Sequence, residues 1–301
     1  MSSRPNASAS ESDRAPITLP GLRAMKAAGE PVVMVTAYDY PSAVAAEHAE
    51  ADIVLVGDSG AMTVLGYDST VPATLDEMLM LTRAVRRGLR TPILIGDLPF
   101  GSYEVSDEQA IETSMRFVKE GGCHGVKLER GGRTSVARAR AIVDAGIPVM
   151  GHVGLTPQTA TALGGYKAQG RTGAEGATIV EQAAALQDAG CFSIVLECIP
   201  SPVTEALMPR INSSVVIGIG AGPATDGQVL VFHDLLGIRE GKGAKFVKRY
   251  ADLQDAMDAG VRAYAEEVRS RAYPAPEHGY AMTDDEIIAL KVALDDWRHA
   301  G

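Results

Sequence analysis

Eight short runs of β-branched and other apolar residues recur along the chain, most of them separated by Ala-rich stretches of helical character. The runs are Val32 to Thr36, Ile53 to Val56, Ile93 to Ile95, Val126 to Leu128, Pro148 to Met150, Ser193 to Leu196, Val215 to Ile219 and Val229 to Phe232. They lack the polar alternation of a half-exposed strand, so each suits a strand buried on both faces. Stretches such as Asp107 to Glu120, Ser135 to Ala145 and Gly176 to Ala189 supply the right-handed crossovers that parallel strands require. The pattern predicts an α/β chain folded as a closed (β/α)8 TIM barrel, with an open doubly wound sheet as the alternative.

The two topologies differ in where polar residues fall. An open sheet gathers chemistry at one switch point, whereas a barrel gathers it from the C-terminal ends of many strands. Here Asp39, Asp58, Asp97, Glu129, His152, Glu197, the turn from Gly220 to Gly222, and His233 stand at or just after successive run ends. That distribution favours the barrel. The gap from Ile219 to Val229 is too short for a regular helix. Residues 1–16 carry almost nothing apolar and are expected to form a disordered tail; 17–280 form the barrel with its closing helices, and 281–301 a C-terminal helical tail.

Charge excludes several functions. With 28 Lys and Arg against 38 Asp and Glu, the net charge of −10 repels polyanions, so no nucleic-acid partner is expected. No apolar run approaches the roughly 20 residues that span a bilayer, and the N-terminal stretch lacks a secretory h-region. No membrane partner is expected, and the expected location is cytoplasmic. Cys123, Cys191 and Cys198 are too scattered for a disulfide framework or zinc cluster and read as small buried thiols.

Asp58, Asp97 and Glu129 follow three neighbouring runs and would meet at one barrel mouth. Hard carboxylate oxygens there suit magnesium, with waters and substrate oxygens completing the octahedron; the competing reading is that each Asp caps the next helix. Lys127 lies two residues before Glu129 and shares its side of the strand, so it is either an ion-pair partner or a clamp for a substrate carboxylate. His152 shares the same rim. Glu197 ends an otherwise apolar strand, where partial desolvation would raise its pKa and suit it to act as a base, unless it is engaged in an ion pair with Lys127 or a rim arginine.

Two lookalikes are set aside. Gly57-Asp58-Ser59-Gly60 resembles a serine-protease active-site sequence, but a chymotrypsin-like enzyme is all-β. Gly218-Ile-Gly220-Ala-Gly222 resembles a dinucleotide loop, yet Pro223 occupies the third glycine position and the turn follows the seventh run, not the first.

Other motifs carry a resemblance. Thr36-Ala-Tyr-Asp-Tyr40, Val56-Gly-Asp-Ser59, Met62-Thr-Val64, Asp68-Ser-Thr-Val-Pro72, Asp97-Leu-Pro-Phe100, Val126-Lys-Leu-Glu129 and Gly151-His-Val-Gly-Leu-Thr-Pro-Gln158 are found in order. Gly164-Gly-Tyr-Lys167, Leu196-Glu-Cys198 and Gly218-Ile-Gly-Ala-Gly222 with Asp226-Gly-Gln228 continue the series. From about Thr18 to Tyr280 the chain resembles the ketopantoate hydroxymethyltransferase family, within the wider phosphoenolpyruvate/pyruvate-type barrels.

The resemblance implies transfer of a hydroxymethyl group from 5,10-methylenetetrahydrofolate, a co-substrate, to 3-methyl-2-oxobutanoate (2-oxoisovalerate), giving ketopantoate for pantothenate and coenzyme A synthesis. It also implies Mg2+ held by Asp58 and Asp97 with Glu129 acting through its surroundings, a substrate carboxylate held by Ser59 and Lys127, substrate contact by His152, and Glu197 as base. A homodecamer is implied as well. Lys167, Arg171 and Arg249 are candidates for a basic rim facing the folate. One departure stands out: Arg130 intervenes between Glu129 and Gly131-Gly132, where the family usually has glycine directly. The rival readings are a carbon–carbon lyase or mutase of the wider barrel group and a non-catalytic oxo-acid-binding protein.

Overall fold

The computed structural model describes residues 14–239, 241 and 243–299. Eight parallel strands close a barrel in chain order: β1 (Val32–Thr36), β2 (Ile53–Val56), β3 (Ile93–Asp97), β4 (Gly125–Lys127), β5 (Val149–Gly154), β6 (Ser193–Glu197), β7 (Val215–Ile219) and β8 (Gly227–Leu230). β1 pairs with β8 through Val32 and Gly227, which seals the ring and rules out the open sheet. The helices are α1 (Leu19–Ala28), α2 (Tyr40–His48), α3 (Gly60–Thr63), α4 (Leu75–Arg86), α5 (Asp107–Lys119), α6 (Arg133–Asp144), α7 (Gly173–Asp188), α8 (Ser201–Leu207), α9 (Phe232–Leu236), α10 (Leu253–Ser270) and α11 (Asp284–His299).

Two apolar layers hold the strands. Ile53, Leu55, Ile93, Ile95, Met150, Val195, Ile217 and Val229 fill the barrel interior, and Leu22 of α1 joins this cluster. Val54, Val56, Leu94, Val126, Leu196 and Val216 face outward against helix residues such as Leu79, Phe117, Ile142 and Leu186. Burial on both faces is what the unbroken apolar runs anticipate. β1 alternates instead: Val33 is 53% exposed, because no helix separates β7 from β8 and the helix after β8 is short.

Several boundaries differ from the sequence reading. β8 begins two residues earlier than Val229, at a glycine that strand propensity disfavours. Gly227 is admitted because any Cβ there would sit 2.3 Å from the Val32 carbonyl oxygen. β5 runs on to Gly154, so His152 lies within the strand, and His233 sits in α9. Residues 1–13 of the predicted tail lie outside the described residues, but Arg14 already ion-pairs with Asp52, and the Ile17 amide donates to the Thr91 carbonyl at 2.8 Å. The chain divides into two compact units, Met1–Ala251 and Asp252–Gly301, and α10 falls in the second. No helix among the described residues is long and apolar enough to cross a membrane.

The capping reading holds for neither Asp58 nor Asp97, since Ser59 and Ser106 stand at the starts of the helices that follow. Asp39 caps α2, accepting from the Ser42 amide at 2.8 Å. Asp58 caps nothing: the residue before α3 is Ser59, without a side-chain cap bond.

Gly154 sets the spacing of β5 and β6. Its φ is +98°, and a Cβ there would lie 2.2 Å from the Glu197 carbonyl oxygen and 2.7 Å from Ile199 Cγ1. Gly154→Ala is therefore expected to destabilise the protein by about 1–3 kcal/mol. Urea unfolding checks this, and an unchanged midpoint would contradict the close-approach argument.

Candidate active site

The C-terminal ends of β2 to β6 enclose a small chamber of ionisable side chains. Asp58, Asp97, Lys127, Glu129 and His152 are all buried. Val126 and Leu128 belong to the outer apolar layer, so strand alternation turns Lys127 and Glu129 inward. Lys127 Nζ lies 3.0 Å from Asp97 Oδ1 and 3.6 Å from Glu129 Oε1. The register Asp97 to Lys127 across β3 and β4 fixes the first of these pairs.

His152 links the acids across the chamber. Its Nδ1 is 3.3 Å from Lys127 Nζ and 3.4 Å from Glu129 Oε1. Its Nε2 is 3.2 Å from Glu197 Oε2, a contact close enough for an ion pair but without hydrogen-bond alignment. Glu197 is paired with His152 and not with Lys127, and its side chain, 19% exposed, stands where the chamber opens.

Sequence reasoning missed a carboxamide that binds the group together. Gln158 Nε2 donates to Asp58 Oδ2 at 3.0 Å and to the Leu98 carbonyl at 2.9 Å. The Gln158 amide donates to Glu129 Oε2 at 3.1 Å, and its Oε1 accepts from the Tyr103 hydroxyl at 2.7 Å. Both polar atoms of the side chain are engaged, and Gln158 holds acids from two strands, Asp58 through its side chain and Glu129 through its backbone. The Asp58 amide in turn donates to Asp97 Oδ2 at 3.0 Å. Gln158 ends a quoted motif, but no local rule marks a glutamine there as more than a loop residue.

Electrostatics in the chamber are dominated by burial and mutual repulsion. Burial, then Asp97 and Glu129, push Asp58 well above the usual carboxylate range. Burial also raises Asp97, against the opposing pull of Lys127. Burial acts the same way on Glu129, but Lys127 and His152 outweigh it and hold the group low. Burial and Lys127 disfavour charge on His152, yet Glu129 and Glu197 overcome both and lift it to about 9. Tyr166 stands above the opening, 53% exposed; partial burial and then Asp58, Glu129 and Glu197 raise its hydroxyl.

The three acids expected at the metal, Asp58, Asp97 and Glu129, meet at the same strand ends. Among the described residues no group of three or more His, Cys, Asp and Glu side chains converges to hold an ion unaided. Glu129 is turned toward Lys127, His152 and Gln158. The chamber nonetheless fits a divalent cation. With all of them ionised, Asp58, Asp97, Glu129 and Glu197 would exceed Lys127 and a protonated His152 by two negative charges, and the raised Asp58 and Asp97 are the response of the metal-free site to that excess. An open site with few protein oxygens is also what magnesium prefers. Of the three rim cations, Arg171 lines a separate cavity of about 620 Å3 with Val203 and Arg210 between α7 and α8, Lys167 lies on the loop after β5, and Arg249 donates to the Gly241 carbonyl. The structure does not gather them into one patch.

Fold and site define a (β/α)8 barrel with an acidic chamber at its C-terminal mouth. Solved structures share this fold: 2,3-dimethylmalate lyase, a PEP mutase/isocitrate lyase superfamily member, with a TM-score of 0.55 and 17% identity, matches over 94% of this chain and 99% of its own. Phosphonopyruvate hydrolase in complex with oxalate and Mg++ matches with a TM-score of 0.57 and 14% identity over 94% and 97%. Within that class, residues 16–276 match the ketopantoate hydroxymethyltransferase family, and the chain belongs to it. The 3-methyl-2-oxobutanoate hydroxymethyltransferase of Moorella thermoacetica is 52% identical over 267 residues, 89% of this chain and 98% of that protein. The mitochondrial 3-methyl-2-oxobutanoate hydroxymethyltransferase 1 of Arabidopsis thaliana is 50% identical over 277 residues, 90% of this chain and 80% of that protein.

Lys127→Met would leave two buried carboxylates without their ammonium and should cost about 3–5 kcal/mol, read by denaturant unfolding. In protein stripped of divalent ions, the raised His152 pKa predicts a second effect. His152 contributes stability in full below its ordinary 6.5, and that contribution is lost as pH rises through about 9. Thermal melts across this window should fall more steeply for the wild type than for His152→Asn; parallel curves would count against the ion pairs.

Proposed function

We propose that this protein transfers a hydroxymethyl group from 5,10-methylenetetrahydrofolate to 3-methyl-2-oxobutanoate, giving ketopantoate and tetrahydrofolate in pantothenate and coenzyme A synthesis. The reading is carried by the family match over residues 16–276, together with a chamber whose side chains fit each requirement of the chemistry. Asp58 and Asp97 would hold a magnesium ion, which would supply the positive charge that stabilises negative charge as it develops on the substrate.

The remaining work falls to the chain. Ser59 and Lys127 bind the substrate carboxylate. Glu129 keeps Lys127 and His152 charged and in place, and His152 borders the reacting group. Glu197 takes the C3 proton of the oxo acid, a role that suits a carboxylate at the edge of the chamber whose Oε2 lies 3.2 Å from His152 Nε2. The His152 ring beside it orients the glutamate toward the reacting group. The carbanion then forms the C–C bond to the one-carbon unit that folate delivers; water, a co-reactant, supplies the hydroxyl oxygen, and both C–N bonds to that carbon break as tetrahydrofolate leaves with its nitrogens protonated.

The lyase alternative receives little support. The solved lyase likeness is one of fold, at 17% identity. A homodecamer is part of the same proposal, supported by apolar residues on α10, Tyr264 at 57% and Val268 at 44% exposure; light scattering reads it directly.

The test is magnesium-dependent exchange of the C3 proton of 3-methyl-2-oxobutanoate in deuterium oxide, followed by NMR without folate. Wild type should exchange, and Glu197→Gln should slow exchange by about 100-fold or more while calorimetry still reports binding. Absence of exchange in the magnesium-loaded wild type would overturn the proposal.

A further inference from the structure

The Ser59 hydroxyl has one proton, and where that proton points is decided outside the chamber. Ser59 Oγ lies 2.8 Å from the hydroxyl of Tyr38. If Ser59 donated to the phenol, it would have nothing to offer a ligand. Tyr38 is fully buried at the end of β1, and burial pushes its hydroxyl to about 12, so the phenol keeps its proton and needs an acceptor. Thr36 and Thr63 also interact with the phenol, but Thr36 Oγ1 already accepts from the Phe232 amide at 2.8 Å and Thr63 donates to the Ser59 carbonyl at 3.1 Å, and of the three it is Ser59 Oγ that stands in hydrogen-bond geometry with the phenol, at 2.8 Å.

The backbone on both sides is built for this contact. In the segment Gly57-Asp58-Ser59-Gly60, a Cβ at Gly60 would lie 2.7 Å from the Tyr38 ring, and one at Gly57 would lie 2.9 Å from Ser59 Oγ and 3.9 Å from Asp97 Oδ2. The phenol reaches the serine only because both positions lack side chains. Tyr38 is itself fixed: its amide and that of Asp39 both donate to Ser42 Oγ at 3.1 Å, and the His233 ring lies 5.4 Å from its own.

We propose that Tyr38 is a positioning residue that donates to Ser59 Oγ and thereby fixes Ser59 as a hydrogen-bond donor toward the carboxylate of an anionic 2-oxo acid. This rests on the reading that Ser59 meets the substrate carboxylate. The glycine-flanked Asp-Ser segment is then neither a protease relic nor a plain turn. It is the clearance that lets a buried phenol set the direction of one hydroxyl.

A double-variant cycle tests the inference, using 3-methyl-2-oxobutanoate and magnesium, calorimetric Kd, and KM and kcat for C3 proton exchange. Tyr38→Phe should raise Kd and KM about tenfold with a much smaller change in kcat. Ser59→Ala should raise them similarly, and the combined variant should bind no more weakly than Ser59→Ala alone. Gly57→Ala, which presses on Ser59 Oγ without touching the phenol, should also raise KM. A raised Kd in Ser59→Ala with an unchanged Kd in Tyr38→Phe overturns the inference alone. Fully additive losses in the combined variant overturn it in favour of a separate packing role. An unchanged Kd in Ser59→Ala overturns the carboxylate reading and the inference with it.

Discussion

Lys127 is the group on which the chamber depends. It is a buried ammonium between Asp97 and Glu129, and without it two carboxylates would be ionised in a low-dielectric interior with only His152 to oppose them. Taking each charge out of water costs several kcal/mol, which is recovered only when the partners are close and well oriented. Asp58 shows what happens where that compensation is incomplete. It has a carboxamide but no cation in contact, and burial and its neighbours push it well above the carboxylate range. A site in this condition is predisposed to take up a cation, since the ion removes the repulsion that the fold alone leaves unresolved.

That arrangement could arise only where several strands end together. In a parallel barrel the C-terminal ends of all strands share one face, so residues distant in sequence meet there without long loops. Asp58, Asp97, Glu129, His152 and Glu197 come from or just follow β2 to β6, in order. Strand pairing then sets the finer geometry. Asp97 is opposite Lys127 and Gly154 opposite Glu197, and at the second pair the missing side chain lets the two backbones approach closely enough for His152 to reach the glutamate.

The strands and acids were legible in the sequence because both follow local rules. A doubly buried strand is an apolar run, and an acid directly after such a run has few reasons to be there. Glu197 was legible as a site residue, but its partner was not: Lys127 or a rim arginine was the expected ion-pair partner, and once the strands are in register the pairing goes to His152. Gln158 and Tyr38 were hidden for a different reason. Their roles are defined by what they touch, in one case Asp58, 100 residues away in sequence, and a glutamine or tyrosine carries no local pattern that announces such a contact. β8 was displaced because its first residue is a glycine, which reads as a loop until the neighbouring Val32 carbonyl is seen to exclude a Cβ. The boundary at Ala251 was equally invisible, since α10 has the same amphipathic composition as a helix that closes a barrel.

An acidic protein that handles an anionic oxo acid must resolve an apparent contradiction, because a net charge of −10 repels the substrate at long range. Salt screens that field over roughly 10 Å, so what decides binding is the charge within the chamber. There the excess acid has a purpose: four carboxylates against Lys127 and His152 leave room for two positive charges. Under the proposed function, a divalent cation would fill that deficit and bring the chamber close to neutral, leaving the ammonium of Lys127 and a proton of Ser59 as directed partners for a carboxylate. Removing acids to suit an anionic ligand would therefore weaken its binding, since the same acids create the demand for the cation that receives it.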